Sequence, residues 1–236
     1  MRNILLAATA LVALVAAPVA HANTVTLWAG SGPGAFLLTN FGNGFASINA
    51  DLGSLFTVEA TATGTPGLSQ PALDSTTIDI HGTGAGTLFV WAQETGITSP
   101  LGTYNMKTNF GSVSVSGTNV SATETSFISA ANAVFNPVTN VFPGTTLASQ
   151  LFTFTTGNPG STSITTATPN LTGPYSEAEE YAITFGSTCT IINACSVDLN
   201  IATSAVATPE PATLAVLGVG MAGLGYIRRQ RRAAAV

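Results

Sequence analysis

Three carboxylates lie close together in the segment PYSEAEEYAITF: Glu177, Glu179 and Glu180. One of them could supply half of a glycosidase pair, in which two carboxyl groups stand several ångströms apart across a sugar. With Asp or backbone oxygens of another loop, they could instead hold Ca²⁺, which prefers oxygen ligands. The third interpretation gives these residues no chemical role. Glu177 would lie in a turn, Glu179 and Tyr181 would alternate along a strand, and the carboxylates would be exposed to solvent. We favour this last interpretation.

His81 begins a glycine-rich stretch, HGTGAG, of a type that can cradle phosphate. A dinucleotide-binding loop, however, needs its glycines to open a helix after a strand. The residues that follow, TLFVWAQ, predict another strand, so we expect a hairpin turn here. No Ser and Asp residues form a recognisable catalytic set with His81, so it is expected to be a structural or surface residue.

Trp28, Trp91 and Tyr104 could line a sugar-binding face if they were exposed, because aromatic rings pack on sugar rings. Trp91 lies in the apolar run LFVWAQ and is expected in the core. The position of Trp28 stays open.

The elements that must position these residues have the periodicity of strands. Apolar and polar residues alternate in TTIDIH, VSVSG, EEYAITFG and SVDLNIAT, whereas GTLFVWAQ is continuously apolar and typical of a strand buried on both faces. Turn residues separate these runs. The pattern predicts an all-β fold, a single antiparallel β-sandwich over residues 23–204. The stretch SFISAANAVFNP is the one predicted helix, with Phe127, Ala131 and Val134 at helical spacing and Pro137 at its end.

The hydroxyl-rich stretch TTGNPGSTSITTATPN contains no charged residue. It is either a glycosylated loop or an ordinary polar hairpin, and we favour the hairpin.

The body of the chain, by which we mean residues 23–208, contains few charged residues, and nearly all of them are acidic. Of eleven Asp and Glu residues only Glu210 lies beyond it, and Lys107 is its one basic residue, which leaves ten acidic groups against one lysine. Nucleic-acid binding needs clustered Lys and Arg, so the composition excludes it. Attraction to acidic lipids or polymers is disfavoured for the same reason. No nucleophile and base form a recognisable set, so we do not expect an enzyme.

The N-terminal segment MRNILLAATALVALVAAPVAHA has the features of a signal peptide. Arg2 precedes an apolar run over residues 4–17, and Ala20-His21-Ala22 has the small residues that signal peptidase requires. The run is short for a membrane span. We therefore expect residues 1–22 to be removed and the mature chain to start at Asn23, with an uncleaved anchor as the alternative.

Cys189 and Cys195 are the chain's two cysteines, and five residues separate them. In an exported protein, two thiols this close in sequence are expected to form a disulfide, which here would pin a hairpin. Two free buried thiols are the alternative. A metal site would need further ligands, and His81 is far away in sequence, so we expect neither a metal nor a cofactor.

The C-terminus repeats the pattern of an apolar segment beside basic residues. A short linker over residues 205–208 leads to Pro209-Glu210-Pro211, and residues 212–227 carry no charge. As a helix, the uncharged segment would span roughly 24 Å, less than the roughly 30 Å of a bilayer's hydrocarbon core. By the positive-inside rule the basic tail would stay in the cytoplasm. That tail contains Arg228, Arg229, Arg231 and Arg232.

This order of a Pro-Glu-Pro motif, an apolar segment and terminal arginines resembles the PEP-CTERM sorting signal of Gram-negative bacteria, over residues 209–232. The resemblance implies that exosortase, a membrane-embedded cysteine protease, recognises Pro209, Glu210 and Pro211 and removes the tail. It also implies export through the inner membrane, transient anchoring by a short C-terminal transmembrane helix, and a final place at the cell surface or outside the cell. Carriers of this signal are typically exported alongside extracellular polysaccharide. A plain tail anchor is the alternative.

Two classes of function remain. The first is a non-enzymatic component of the extracellular matrix or cell surface, associated with exopolysaccharide. The second is a carbohydrate- or Ca²⁺-binding surface module that uses the carboxylates of Glu177, Glu179 and Glu180 or an exposed tryptophan.

Overall fold

The computed structural model describes residues 23–42, 44–65, 72–154 and 160–206. The predicted signal peptide, Pro-Glu-Pro motif, transmembrane helix and basic tail lie outside these residues. Within them the chain forms twelve β-strands and no helix, so none is present there that could cross a membrane. The strands are β1 Thr24–Gly30, β2 Phe36–Phe41, β3 Phe45–Leu52, β4 Phe56–Thr63, β5 Ala72–Gly82, β6 Gly86–Ile97, β7 Asn105–Ser116, β8 Val120–Ser129, β9 Thr145–Phe154, β10 Ser161–Ala167, β11 Tyr175–Phe185 and β12 Cys195–Val206.

The strands form two six-stranded sheets in which every pair is antiparallel. Sheet A has the order β2-β1-β6-β11-β8-β9, and sheet B has the order β10-β7-β12-β5-β4-β3. The predicted all-β antiparallel sandwich is therefore confirmed. Strand β12 continues to Val206, into the stretch that the sequence predicts as a linker.

The core lies between the two sheets and is built from the inward residue of each alternating pair. On β12, Val197, Leu199 and Ile201 are fully buried, and Ile78 and Ile80 of the neighbouring β5 pack with them. Burying one such side chain contributes about 1.5–3 kcal/mol. Alternation of apolar and polar residues thus selects the face of each strand that turns inward, as predicted.

The predicted helix over SFISAANAVFNP was wrong. Its first residues belong to β8, which ends at Ser129, and residues 130–144 form an irregular connection with no helix. The inward positions of β8 include the polar residues Glu124 and Ser126, both fully buried. These polar residues break the apolar alternation that would otherwise have identified the strand.

Two predicted hairpins are also wrong, because the strands that they would join lie in different sheets. Residues 83–85 of the HGTGAG stretch connect β5 of sheet B to β6 of sheet A. The hydroxyl-rich stretch contains β10, which pairs with β7 of sheet B rather than with β9 of sheet A. Residues 83–85 therefore cross from one sheet to the other.

Candidate functional site

The acidic cluster predicted from the sequence is divided between the two faces of β11. Glu177 and Glu179 share the buried face with Tyr181, whereas Glu180 is on the opposite face and only partly buried. Glu177 lies in the strand rather than in a turn, and neither it nor Glu179 is solvated. The favoured interpretation of solvated carboxylates was therefore wrong for both residues.

Four glutamates from three strands of sheet A point into the sandwich, and we call them the interior carboxylates. They are Glu94, Glu124, Glu177 and Glu179, and each is at most 1% exposed. Glu177 is directly opposite Glu94 of β6, and Tyr181 is directly opposite Glu124 of β8. Strand order alone brings these residues together, since β11 lies between β6 and β8.

The interior carboxylates differ in their hydrogen bonds. The Asn23 side-chain amide donates to Glu94 Oε1 at 2.6 Å, and the Thr65 backbone N–H donates to the same oxygen at 2.9 Å. The Ser75 hydroxyl donates to Glu179 from the facing sheet. Among the described residues, neither oxygen of Glu177 has a hydrogen-bond partner.

Burial favours the neutral form of every interior carboxylate. It raises the pKa of Glu94 to about 7, against the opposing effect of the hydrogen bonds from Asn23 and Thr65. It raises the pKa of Glu124 to about 9. Burial also raises the pKa values of Glu177 and Glu179 well above their usual range, and the nearby Glu94 charge adds to the effect at Glu177.

The burial of the interior carboxylates argues against ligand binding by these side chains. The interior carboxylates are enclosed between the sheets, where a sugar has no access. No group of three His, Cys, Asp or Glu residues in the described part of the chain could hold a metal ion. We therefore regard them as structural residues of the interior, whose burial favours the protonated form.

The predicted aromatic residues are buried in two separate places. Trp28 and Trp91 are 5% and 2% exposed and lie opposite each other on β1 and β6, on the outer face of sheet A. Tyr104 is buried in another cluster, where its hydroxyl donates to that of Tyr175 at 2.9 Å. Trp91 is buried, as expected, and these three residues do not form an exposed sugar-binding face.

Residues 130–144, which we call the covering segment, shield the two tryptophans from solvent. Phe135 of this segment stacks on Trp91 with ring centroids 4.5 Å apart and contacts Trp28 edge-on at 5.1 Å. The Trp91 indole N–H donates to Asn140 Oδ1 at 3.0 Å. Outer-face Glu180 is directly opposite Trp91, and burial raises its pKa to about 7.

Gln93 of β6 joins the covering segment to sheet A through hydrogen bonds. Its side-chain amide donates to the Ala133 carbonyl at 2.7 Å and accepts a bond from the Phe135 backbone N–H at 3.0 Å. The Ser176 hydroxyl donates to the same carbonyl at 2.7 Å. The segment therefore forms a second, smaller core outside the sandwich.

Sequence reasoning missed an acidic row on the outer face of sheet B. Glu59 is opposite Asp79, which is opposite Asp198, on the neighbouring strands β4, β5 and β12. Like charges directly opposite each other destabilise a sheet. His81 Nε2 lies 3.7 Å from Asp79 Oδ1, and both side chains are exposed. The three carboxylates are far apart in sequence, so only the order of the strands could have revealed the row.

The predicted disulfide between Cys189 and Cys195 is present, with Cα atoms 5.3 Å apart. It closes the connection from β11 to β12, which lie in different sheets, so the prediction that it pins a hairpin was wrong. Beside it is an open groove of about 530 Å³, partly lined by Ser116 and Asn193. The bridge therefore fixes a crossover at one end of the sandwich.

Residues 207–232 match the family model of the PEP-CTERM protein-sorting motif. The chain therefore carries this sorting motif, as the resemblance of residues 209–232 predicts. The motif indicates an exported protein that is anchored in the membrane before exosortase processes it. No curated protein matches the chain.

Several solved structures share a weak similarity with this chain. One is the infectious bursal disease virus Gx strain, at 11% identity and TM-score 0.33, with 84% of this chain and 54% of that chain covered. Another is the N-terminal cellulose-binding domain of Cellulomonas fimi β-1,4-glucanase C, at 12% identity and TM-score 0.30, with 77% and 90% covered. A third is the K1 cleaved adhesin domain of Lys-gingipain from Porphyromonas gingivalis W83, at 15% identity and TM-score 0.32, with 69% and 91% covered. This chain thus spans about half the length of the viral chain, and scores this low do not bear on its function.

Proposed function

We propose that this chain is a non-enzymatic component of the cell surface or extracellular matrix, sorted by exosortase and associated with exopolysaccharide. The observation that carries the proposal is the junction between the body and the tail. Strand β12 ends at Val206, and the sorting motif begins at residue 207. The last residue of this strand is therefore followed directly in the sequence by the segment that is processed.

The position of the carboxylates supports a body without catalytic activity. Glycosidase carboxyl groups must flank a sugar. Glu177 and Glu179 are enclosed between the sheets, and Glu180 is on the other face. The same division argues against a Ca²⁺-binding module built from these three residues, because their oxygens cannot converge on one ion.

The polarity of the surface supports a neutral polysaccharide as the associated polymer. The exposed residues of β10 are Ser161, Ser163, Thr165 and Ala167, and Lys107 is the body's one basic residue. Hydroxyl groups can exchange hydrogen bonds with sugar hydroxyls. An acidic polymer would be repelled by the acidic row of Glu59, Asp79 and Asp198 on the outer face of sheet B.

The test replaces Glu210 by Ala in a host that contains exosortase. We expect wild-type protein outside the cell to have lost the tail RRQRRAAAV, and the variant to stay at full length in the membrane fraction. Glu59→Ala, the same change at an exposed site of the body, is the control and should be processed normally. Intact mass measures each outcome, and extracellular wild-type protein that still carries the tail would contradict the sorting proposal.

The polysaccharide association is tested separately. The processed protein is sedimented with neutral and with acidic exopolysaccharide of the host. We expect sedimentation with the neutral polymer only. A protein that sediments with neither polymer would leave the sorting proposal standing and remove the association.

A further inference from the structure

Strand β10 forms an edge of sheet B. Its seven residues pair with β7 in one unbroken register, from Ser161 opposite Gly111 to Ala167 opposite Asn105. The other side of β10 pairs with no strand in the described part of the chain. An unpaired edge presents backbone donors and acceptors that can template the addition of another strand.

Hydrogen bonds at the two ends of β10 show which of its residues face outward. The Thr168 N–H donates to the Tyr104 carbonyl at 2.8 Å, and the Ser112 N–H donates to the Gly160 carbonyl at 2.8 Å. The even-numbered residues therefore bond to β7, since bonding direction alternates along an antiparallel strand. The backbone groups that point away from β7 belong to Ser161, Ser163, Thr165 and Ala167.

The edge formed by β10 lacks the features that usually prevent an edge strand from pairing with another chain. Strand β10 contains no charge, no proline and no bulge. The neighbouring edge strand β9 is different, because two of its carbonyls are already occupied. The Thr166 hydroxyl donates to the Leu147 carbonyl at 2.7 Å, and the Gln150 side chain donates to the Leu151 carbonyl at 2.9 Å.

The distribution of charge favours a second copy of this chain as the partner of β10. Residues 125–176 contain no charged residue, and outside this stretch the body has ten acidic groups and one lysine. Two copies that meet across the acidic row of sheet B bring like charges together, whereas two copies that meet at β10 do not. An uncharged strand can pair with itself without placing like charges opposite each other.

We propose that β10 pairs with β10 of a second copy, antiparallel about a twofold axis at Ile164. Ile164 is the central residue of β10 and its one large apolar side chain, and it packs partly against the core. In this register Ser161 is opposite Ala167 of the second copy, and Ser163 is opposite Thr165. The outward residues then exchange about eight hydrogen bonds, and the two Ile164 side chains meet at a non-hydrogen-bonded position. The interface is isologous and closes at two copies.

Cross-linking of the full-length chain in detergent tests the register. In Ile164→Cys the two new thiols lie across the axis, where Cα atoms about 4.5 Å apart can form a disulfide. We expect oxidation to double the mass of most of the chain on a non-reducing gel. Thr184→Cys, at an exposed position in the middle of sheet A, is the control and should stay monomeric. Equal cross-linking of the two variants, or none with Ile164→Cys, would overturn the register.

A charge substitution tests the interface without covalent chemistry. The double variant Ser163→Lys and Thr165→Lys places lysines opposite each other across the axis, so we expect the mass in solution to fall from that of a dimer to that of a monomer. Thr184→Lys should remain dimeric. A monomeric wild-type chain would overturn the proposal. So would a dimer that persists in the double variant, because it would then be held at another surface.

Discussion

Glu94 on β6 and Glu177 on β11 lie directly opposite each other, with both side chains buried between the sheets. Glu94 accepts two hydrogen bonds, whereas Glu177 has no partner among the described residues. Two charged carboxylates on directly opposite residues would repel each other strongly in a medium of low dielectric constant. Near neutral pH we therefore expect the folded chain to keep protons on this pair that the unfolded chain releases.

We expect the free energy of unfolding to fall as pH rises. The folded-state pKa of Glu94 is raised from 4.5 to about 7. Above pH 4.5 the unfolded chain releases this proton, and the folded chain keeps it until about pH 7. Glu94 alone should lower the stability by about 3 kcal/mol across this window, and Glu124 should extend the decline toward pH 9. Urea titrations at pH 5, 6, 7 and 8 measure the effect, and a flat profile would contradict it.

Glu177→Gln should flatten this pH profile. Glutamine keeps the shape of the side chain but stays neutral, so the folded state no longer has to bind the proton of Glu177. We expect the variant to match the wild type at pH 5 and to be more stable at pH 8. Glu59→Gln, at an exposed position, removes a charge from the acidic row and can change the overall stability, but it should keep the wild-type slope between pH 5 and pH 8. A variant that is equally destabilised at both pH values would show that Glu177 acts through packing alone.

Gln93→Ala should release the covering segment from sheet A. The change removes both bonds of the side-chain amide and leaves the Phe135 N–H without its acceptor. A loss of about 1–3 kcal/mol in the free energy of unfolding is expected. Trp91 should become more exposed, so its emission should shift to longer wavelength and amide exchange should accelerate over residues 130–144. Gln150→Ala is the matched control, and an unchanged emission spectrum in Gln93→Ala would contradict the role.

The faces of the strands could be predicted from the sequence, but the sheet to which each strand belongs could not. In EEYAITFG the spacing places Tyr181, Ile183 and Phe185 on one face, and all three are fully buried. Nothing in the local pattern of HGTGAG distinguishes a hairpin from a crossover between sheets. That choice depends on which inward side chains meet, and they are distant in sequence.

The burial of the carboxylates was missed because charge is normally taken as a mark of the surface. The spacing nevertheless predicts the burial. Glu177, Glu179 and Tyr181 are two positions apart, so they lie on the same face of a strand. The acidic row had no such local signal. Glu59, Asp79 and Asp198 meet only because β4, β5 and β12 are neighbours.

Removal of the disulfide should weaken the fold only slightly. Cys189 and Cys195 are six positions apart, so their bridge closes a very small loop. A chain-entropy estimate for such a loop is about 2 kcal/mol. We expect the double variant Cys189→Ala and Cys195→Ala to keep its far-UV spectrum and to lose about this much stability to urea. A chain that fails to fold would show that the bridge holds the two sheets together.

Gly64→Ala should disturb the surroundings of Glu94. A Cβ atom at this position would contact the Glu94 carboxylate and would lie 2.9 Å from Val25 Cγ2. Relief of that overlap displaces the carboxylate from the hydrogen bonds of Asn23 and Thr65, which hold its pKa down. We expect a loss of about 1–3 kcal/mol and a decline of stability that extends above pH 7. Gly173→Ala is the control, because nothing lies within 4 Å of its added Cβ atom. If both variants match the wild type in urea titrations at pH 5 and pH 8, Gly64 is not packed against Glu94.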